Sequence, residues 1–212
     1  MIAAPRPQAR AINPDVQLDV FAERITPANV AAFLVGVDVL VDGIDFFALD
    51  ARRLLFHEAR KRGIWAVTAG PLGFSTSWLV FDPAGMSFDD YFDLHDGQDA
   101  LTQLASFAVG LAPRATHLSY LDLSQVDLQA GRGPSLGLAC QLCAGVAAAE
   151  VVKILLGRGP VDAAPAFSQF DAYRRVLRQG RLRGGNRHPW QRLKRWWLLR
   201  RLQAALAARE AS

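Results

Sequence analysis

Several things are scarce in this sequence, and each scarcity excludes something. Cysteine occurs only at Cys140 and Cys143 in 212 residues, too few for a disulfide framework. The opening MIAAPRPQAR lacks the apolar run of a secretory signal, so a reducing cytoplasm is the expected compartment. No glycine precedes Gly36, which leaves no glycine-rich phosphate turn ahead of it. Acids are scarce at the far end: from Ala172 to Ser212 the only one is Glu210, against 12 basic residues. Residues 1–171 hold 12 Lys and Arg against 19 Asp and Glu. An acidic body with a basic tail argues against a nucleic-acid-binding surface spread over the whole molecule, and no specific nucleic acid is expected as a partner. What is abundant is ordinary: 51% hydrophobic and 21% charged residues suffice for a buried core and exclude a disordered or fibrous chain.

VQLDVFAERI (Val16–Ile25) alternates apolar and polar residues as a half-buried strand does, and ITPANVAAFL follows with the Thr and Pro of a helix start. VDVLVDGID reads as a strand buried on both faces. ALDARRLLFHEARKRG reads as a helix with Asp50 early, basic residues late and a stop at Gly63. IWAVTAG is a further buried strand, and alternation of this kind predicts a mainly parallel sheet. WLVFDP follows with no long crossover, so it is expected to run antiparallel beside IWAVTAG. SFDDYFDL and DALTQLASFAVGLAP read as helices, residues 114–132 as irregular, and 135–157 as a buried core helix. That last stretch is long and apolar enough to raise a membrane span, but Gln141, Glu150 and Lys153 favour the core reading.

Asp42 and Asp45 lie at the carboxyl end of a predicted parallel strand, where open α/β sheets place ligand groups. A carboxylate there can hold Mg²⁺ against a triphosphate; the plainer reading is that both acids end the strand or cap the next helix. Gly70, in Gly70-Pro71-Leu72-Gly73, permits close approach to a ligand or simply a turn. The Cys140/Cys143 pair supplies half of a tetrahedral metal site with no second half in the sequence. His57, His95, His117 and His188 are scattered without metal-ligand spacing.

INP at Ile12–Pro14, FLVGVDVLVDGIDFF followed by Arg52, GIWAVTAGPLGFS with WLVFDP beyond it, and CQLCAGVAAAEVVKILLGRG resemble, in that order, the later part of ThiF/MoeB/HesA-type proteins. That superfamily includes the ubiquitin-activating enzymes. The resemblance spans residues 10–160 and implies a Rossmann-like ATP site that adenylates the C-terminal carboxylate of a ubiquitin-like or sulfur-carrier protein. By the same resemblance Asp45 matches the aspartate of a D-x-x-D-N pattern that contacts Mg-ATP, and Arg52 falls near the arginine after it. Phe46 stands where the family has Asn, and two extra residues precede Arg52. The family's glycine turn, ribose-binding acid and early basic residues have no counterpart before Ile12.

The expected fold is therefore α/β and Rossmann-like, N-terminally truncated, with a mostly parallel sheet, an antiparallel edge strand and a basic helical C-terminal extension. Residues 1–160 are expected to form the ThiF-like domain and residues 161–212 the extension. The nucleotide-site candidates are Asp45, Asp42, Arg52 and Gly70, with Asp45 as the Mg²⁺ ligand once the site is complete. ATP is expected to bind this chain poorly by itself, so a homo- or hetero-dimeric family partner is expected alongside the carrier protein. In the tail, Trp190, Leu193, Trp197, Leu198 and Leu202 are spaced to share one helical face, with Arg192, Arg195 and Arg200 around the rest. Such a helix over residues 187–207 suits a membrane surface, an acidic partner or the acidic body itself. The alternative function is a non-catalytic interaction module docking through this tail.

Overall fold

The computed structural model describes residues 6–121 and 136–210. Its centre is a five-stranded sheet in the order β1-β2-β3-β4-β5. The strands are β1 (Val39–Asp42), β2 (Trp65–Leu72), β3 (Ser75–Phe81), β4 (Ala166–Asp171) and β5 (Val176–Arg181). The helices are α1 (Arg6–Ile12), α2 (Val30–Phe33), α3 (Leu49–Lys61), α4 (Phe88–Phe92), α5 (Ala100–Leu111), α6 (Gly137–Leu156) and α7 (Pro189–Glu210).

Among the described strands only β1 and β2 pair parallel, connected through α3. The β2–β3, β3–β4 and β4–β5 pairs are all antiparallel, so the sheet is mostly antiparallel where a mostly parallel one was expected. Two things account for the difference. Val16–Ile25 forms no strand: Val20 and Phe21 stay 43% and 44% exposed, and Phe21 rests edge-on against Phe33 at 5.3 Å. Alternation describes a half-buried ribbon but supplies no neighbour to pair with. In addition, the segment before α7, read as leading away from the domain, folds back as the β4–β5 hairpin. The sheet thus continues past residue 160 without a break.

β1 is the edge strand, and Val41 is 51% exposed, so it is not buried on both faces as expected. α3 stops where predicted, with Gly63 at φ +73°, a conformation that glycine adopts without steric cost. The helix starts at α4 and α5 follow from their caps. The Ser87 side chain accepts from the Asp90 backbone N–H and that of Asp99 from Thr102, each satisfying a donor with no partner within the helix.

The main core lies on the α3–α5 side of the sheet, where Phe81, Phe88, Phe92 and Phe107 stack around Phe56 and Tyr91. α6 covers the other side, with Ala147 against Val67 and Val80. Ala139, Cys143, Ala147 and Glu150 are its buried positions, whereas Leu138, Val152, Leu155 and Leu156 are exposed. The helix expected to be buried is therefore buried along one face only.

Candidate functional site

The C-terminal ends of β1 and β2 bring the predicted residues together, but in structural roles. Asp42 Oδ2 accepts from Arg52 Nε at 2.7 Å and from Thr68 Oγ1 at 2.7 Å, and its Oδ1 accepts from the Ile44 N–H at 3.0 Å. The remaining Arg52 nitrogens donate to the carbonyls of Ile44 and Phe46, and the guanidinium lies 4.5 Å over the Phe107 ring. Both side chains are almost wholly buried, at 4% for Arg52 and 1% for Asp42. The pair therefore clamps the loop after β1 to the first turn of α3.

Gly70 faces inward too. A Cβ there would lie 2.5 Å from Leu111 Cδ2, so its missing side chain admits α5 onto the sheet. The following Pro71 and Leu72 pair with Thr76 and Ser75; they are strand residues, and the turn falls at Gly73, φ +62°.

Asp45 alone faces solvent. Its Oδ1 accepts from the Phe47 N–H at 2.9 Å, and among the described residues its Oδ2 has no partner. Taken together, the four candidates by themselves do not form a nucleotide cradle: Asp42 and Arg52 are engaged with each other, with Thr68 and with the backbone of the loop between them, Gly70 is packed on Leu111, and one Asp45 oxygen remains. Among the described residues no group of three or more His, Cys, Asp or Glu is placed to hold a metal ion.

Farther along β2 the same end of the sheet carries a buried polar set that the sequence reading missed. Asp171 on β4 is fully buried and accepts from Tyr120 Oη at 3.1 Å and from the Arg174 N–H at 3.0 Å. Tyr120 Oη also lies 3.2 Å from Ser75 Oγ. Burial works against the Asp171 carboxylate, but hydrogen bonds from the Arg174 backbone and from Ser75, Tyr120 and Thr116 outweigh it and hold its pKa below the usual carboxylate range. Gln169, also fully buried, donates to Thr116 Oγ1 at 2.8 Å. His117, in the adjacent 3-10 turn Thr116–Ser119, is pushed down to about 4 by burial, against the opposing pull of Asp171, and among the described residues its Nδ1 has no partner. The available signal was the Ser-Thr-Ser run inside an otherwise apolar strand.

The remaining candidates separate. Cys140 is exposed, and Cys143 is buried on the inner face of α6, 3.0 Å from Thr76 Oγ1. Burial raises the Cys143 thiol pKa, the reverse of what a reactive thiolate needs. His57 and His95 are exposed.

The tail is docked at its start. Asn186, 1% exposed, donates to the carbonyls of Phe92 and Ser106 at 3.0 and 2.6 Å. Gln191 donates to Val109 O at 3.1 Å, and Arg195 meets Asp93 at 2.8 Å. The face of α7 turned to α5 thus carries Gln191 and Arg195 alongside the half-buried Leu198 and Leu202. Trp190, Leu193, Trp196 and Trp197 point outward, so the single apolar face expected from spacing is split between the two sides.

These features define an α/β protein of Rossmann-like architecture with a mixed sheet and a polar end at the close of its parallel strands. Residues 3–189 match the ThiF family, and the chain belongs to that family. No curated protein matches the sequence. Among solved structures, E. coli MccB with MccA-N7isoASN aligns at a TM-score of 0.58 and 10% identity, covering 85% of this chain and 48% of that one. E. coli MccB with ATP aligns at 0.54 and 10% identity over 85% and 47%. PaaA aligns at 0.55 and 15% identity over 83% and 45%. The fold is shared with these proteins, and the chain spans less than half the length of each.

Proposed function

We propose that the chain is an adenylyltransferase-type member of the ThiF family. It serves a polypeptide substrate, a ubiquitin-like or sulfur-carrier protein, and relies on a second family subunit to complete its ATP site. The observation that carries this reading is the internal pairing of Asp42 with Arg52, which leaves Asp45 as the one predicted nucleotide ligand with an unengaged oxygen. A triphosphate is held by several convergent N–H donors or cations, and a lone carboxylate repels it unless Mg²⁺ lies between. Membership of the family supports the ATP and polypeptide parts of the reading. So does the likeness to E. coli MccB, solved with ATP and with MccA-N7isoASN. In the completed site Asp45 would hold Mg²⁺, while Arg52 and Asp42 keep the loop that carries Asp45 at a fixed height above α3.

The test is calorimetric titration of Mg-ATP into the purified chain, alone and mixed with a glycine-loop-bearing family subunit, followed by ATP–pyrophosphate exchange with a carrier protein. The chain alone is expected to give no fitted binding in the micromolar range, and the mixture to bind with an affinity that Asp45→Ala lowers. Micromolar binding by the chain alone would overturn the dependence on a partner. A second reading, the non-catalytic interaction module, is favoured by the outward tryptophans of α7; absence of exchange in every combination would select it.

A further inference from the structure

We propose that α7 is a peripheral membrane anchor, laying Trp190, Leu193, Trp196 and Trp197 on an anionic lipid surface with Arg192, Arg200 and Arg201 at the headgroups. This inference does not depend on the nucleotide reading. The first argument is orientation. The inward side of α7 is fixed by Gln191 on Val109 O, by Lys194 on Pro113 O at 2.6 Å and by Arg195 on Asp93. Those contacts leave the opposite side facing solvent, with Trp190 66%, Leu193 52%, Trp196 55% and Trp197 40% exposed. Leu198 and Leu202 lie half-buried on the inward side, but the outward tryptophans give this helix a second apolar stripe, where an ordinary surface helix has one that faces the core.

The second argument is charge. Two acids of the body that meet the tail already have their basic partners: Asp90 takes Arg187 at 2.6 Å and Asp93 takes Arg195 at 2.8 Å. Among the described residues Arg192, Arg200 and Arg201 have no carboxylate partner, and the sequence offers no acid between Asp171 and Glu210. Two of these guanidiniums lie over the exposed rings, Arg200 at 5.3 Å from Trp196 and Arg201 at 4.2 Å from Trp197. That geometry keeps cation and indole at one level, as the boundary between headgroups and acyl chains requires. The amphipathic indole favours the same depth.

The third argument is shape. The outward face is one side of a convex cylinder, Trp190 to Arg201. A fluid lipid surface conforms to it without a matching groove, whereas a folded partner needs one. Each interfacial arginine strengthens attachment to an anionic leaflet about fivefold, so three act together by roughly a hundredfold.

The experiment is co-sedimentation of the full chain with phosphatidylcholine vesicles, with and without phosphatidylserine, alongside quenching of tryptophan emission by brominated acyl chains. The wild type is expected to pellet with the serine-containing vesicles and to be quenched there, and to remain soluble with phosphatidylcholine alone. Two variants test the two halves of the face: Trp190→Ser/Trp196→Ser/Trp197→Ser and Arg192→Gln/Arg200→Gln/Arg201→Gln. Both alter exposed side chains, so both are expected to keep the wild-type unfolding midpoint while losing vesicle binding. No pelleting with anionic vesicles overturns the anchor, as does binding that survives loss of the tryptophans. If polyglutamate binds the wild type through this face while the vesicles stay empty, the occupant is an acidic polypeptide and the proposal fails.

Discussion

Arg52 and Asp42 meet at 2.7 Å inside the protein, closed off from water, although both sit where a nucleotide-binding fold puts its polar ligands. A buried ion pair is poor evidence of net stabilisation, but removal of one partner strands the other charge. Arg52→Met and Asp42→Leu are each expected to destabilise the fold by about 3–5 kcal/mol. The double variant is expected to recover most of that loss. Urea midpoints of the four proteins check it; additive single losses would mean that the two groups do not act on each other.

Gly70→Ala is expected to cost about 1–3 kcal/mol, the usual range for overpacking a filled core, because the new methyl would meet Leu111 Cδ2 at 2.5 Å. Leu111→Val in the same chain should return part of the loss. A ligand-binding role predicts the opposite pattern, with stability kept and affinity changed, so thermal midpoints and ATP titration together separate the two.

His117 makes stability depend on pH. Its pKa falls from 6.5 to about 4 on folding, so between those values the unfolded chain binds a proton that the folded chain refuses. Stability from this group is complete above pH 6.5 and is lost as pH falls toward 4. The loss is on the order of 3 kcal/mol at 1.36 kcal/mol per unit. Unfolding free energies measured from pH 7 to pH 4 should fall less steeply for His117→Gln than for wild type, and parallel curves would refute this.

Asn186→Ala removes donors to the carbonyls of Phe92 and Ser106, both inside the protein. With the Phe92 carbonyl at the end of α4 losing this donor, the expected cost is about 1–3 kcal/mol. Amide exchange should then quicken in α7 before it does in β2 and β3. Uniform quickening would show that the tail is not held separately at this residue.

Much of the fold could be read from residue order. SFDDYFDL and DALTQLASFAVGLAP read as helices, Gly63 as a stop, and WLVFDP as a strand antiparallel beside IWAVTAG. What escaped was pairing between distant segments. AFSQFD and VLRQGR are two six-residue strands around a short turn with Arg175 at φ +55°, a hairpin pattern. The arginines of the second strand made it read as a solvated extension. Position along the chain puts Asp42 and Gly70 at the carboxyl ends of neighbouring strands and Arg52 in the first turn of the helix between them. It could not tell that their polar and steric capacity would be turned inward, since that depends on Thr68, Phe107 and Leu111 arriving from elsewhere.

The two borders of the sheet are chemically unlike. β5 presents Arg178 and Arg181 to solvent, and a strand arriving there would have to approach unneutralised cations, a common guard against fibre-like stacking. β1 carries no such guard: between Leu40 and Asp42 it offers the exposed Val41. A strand laid along β5 would meet Arg178 and Arg181 beside the exposed Leu177, and one laid along β1 would lie next to the loop that carries Asp45.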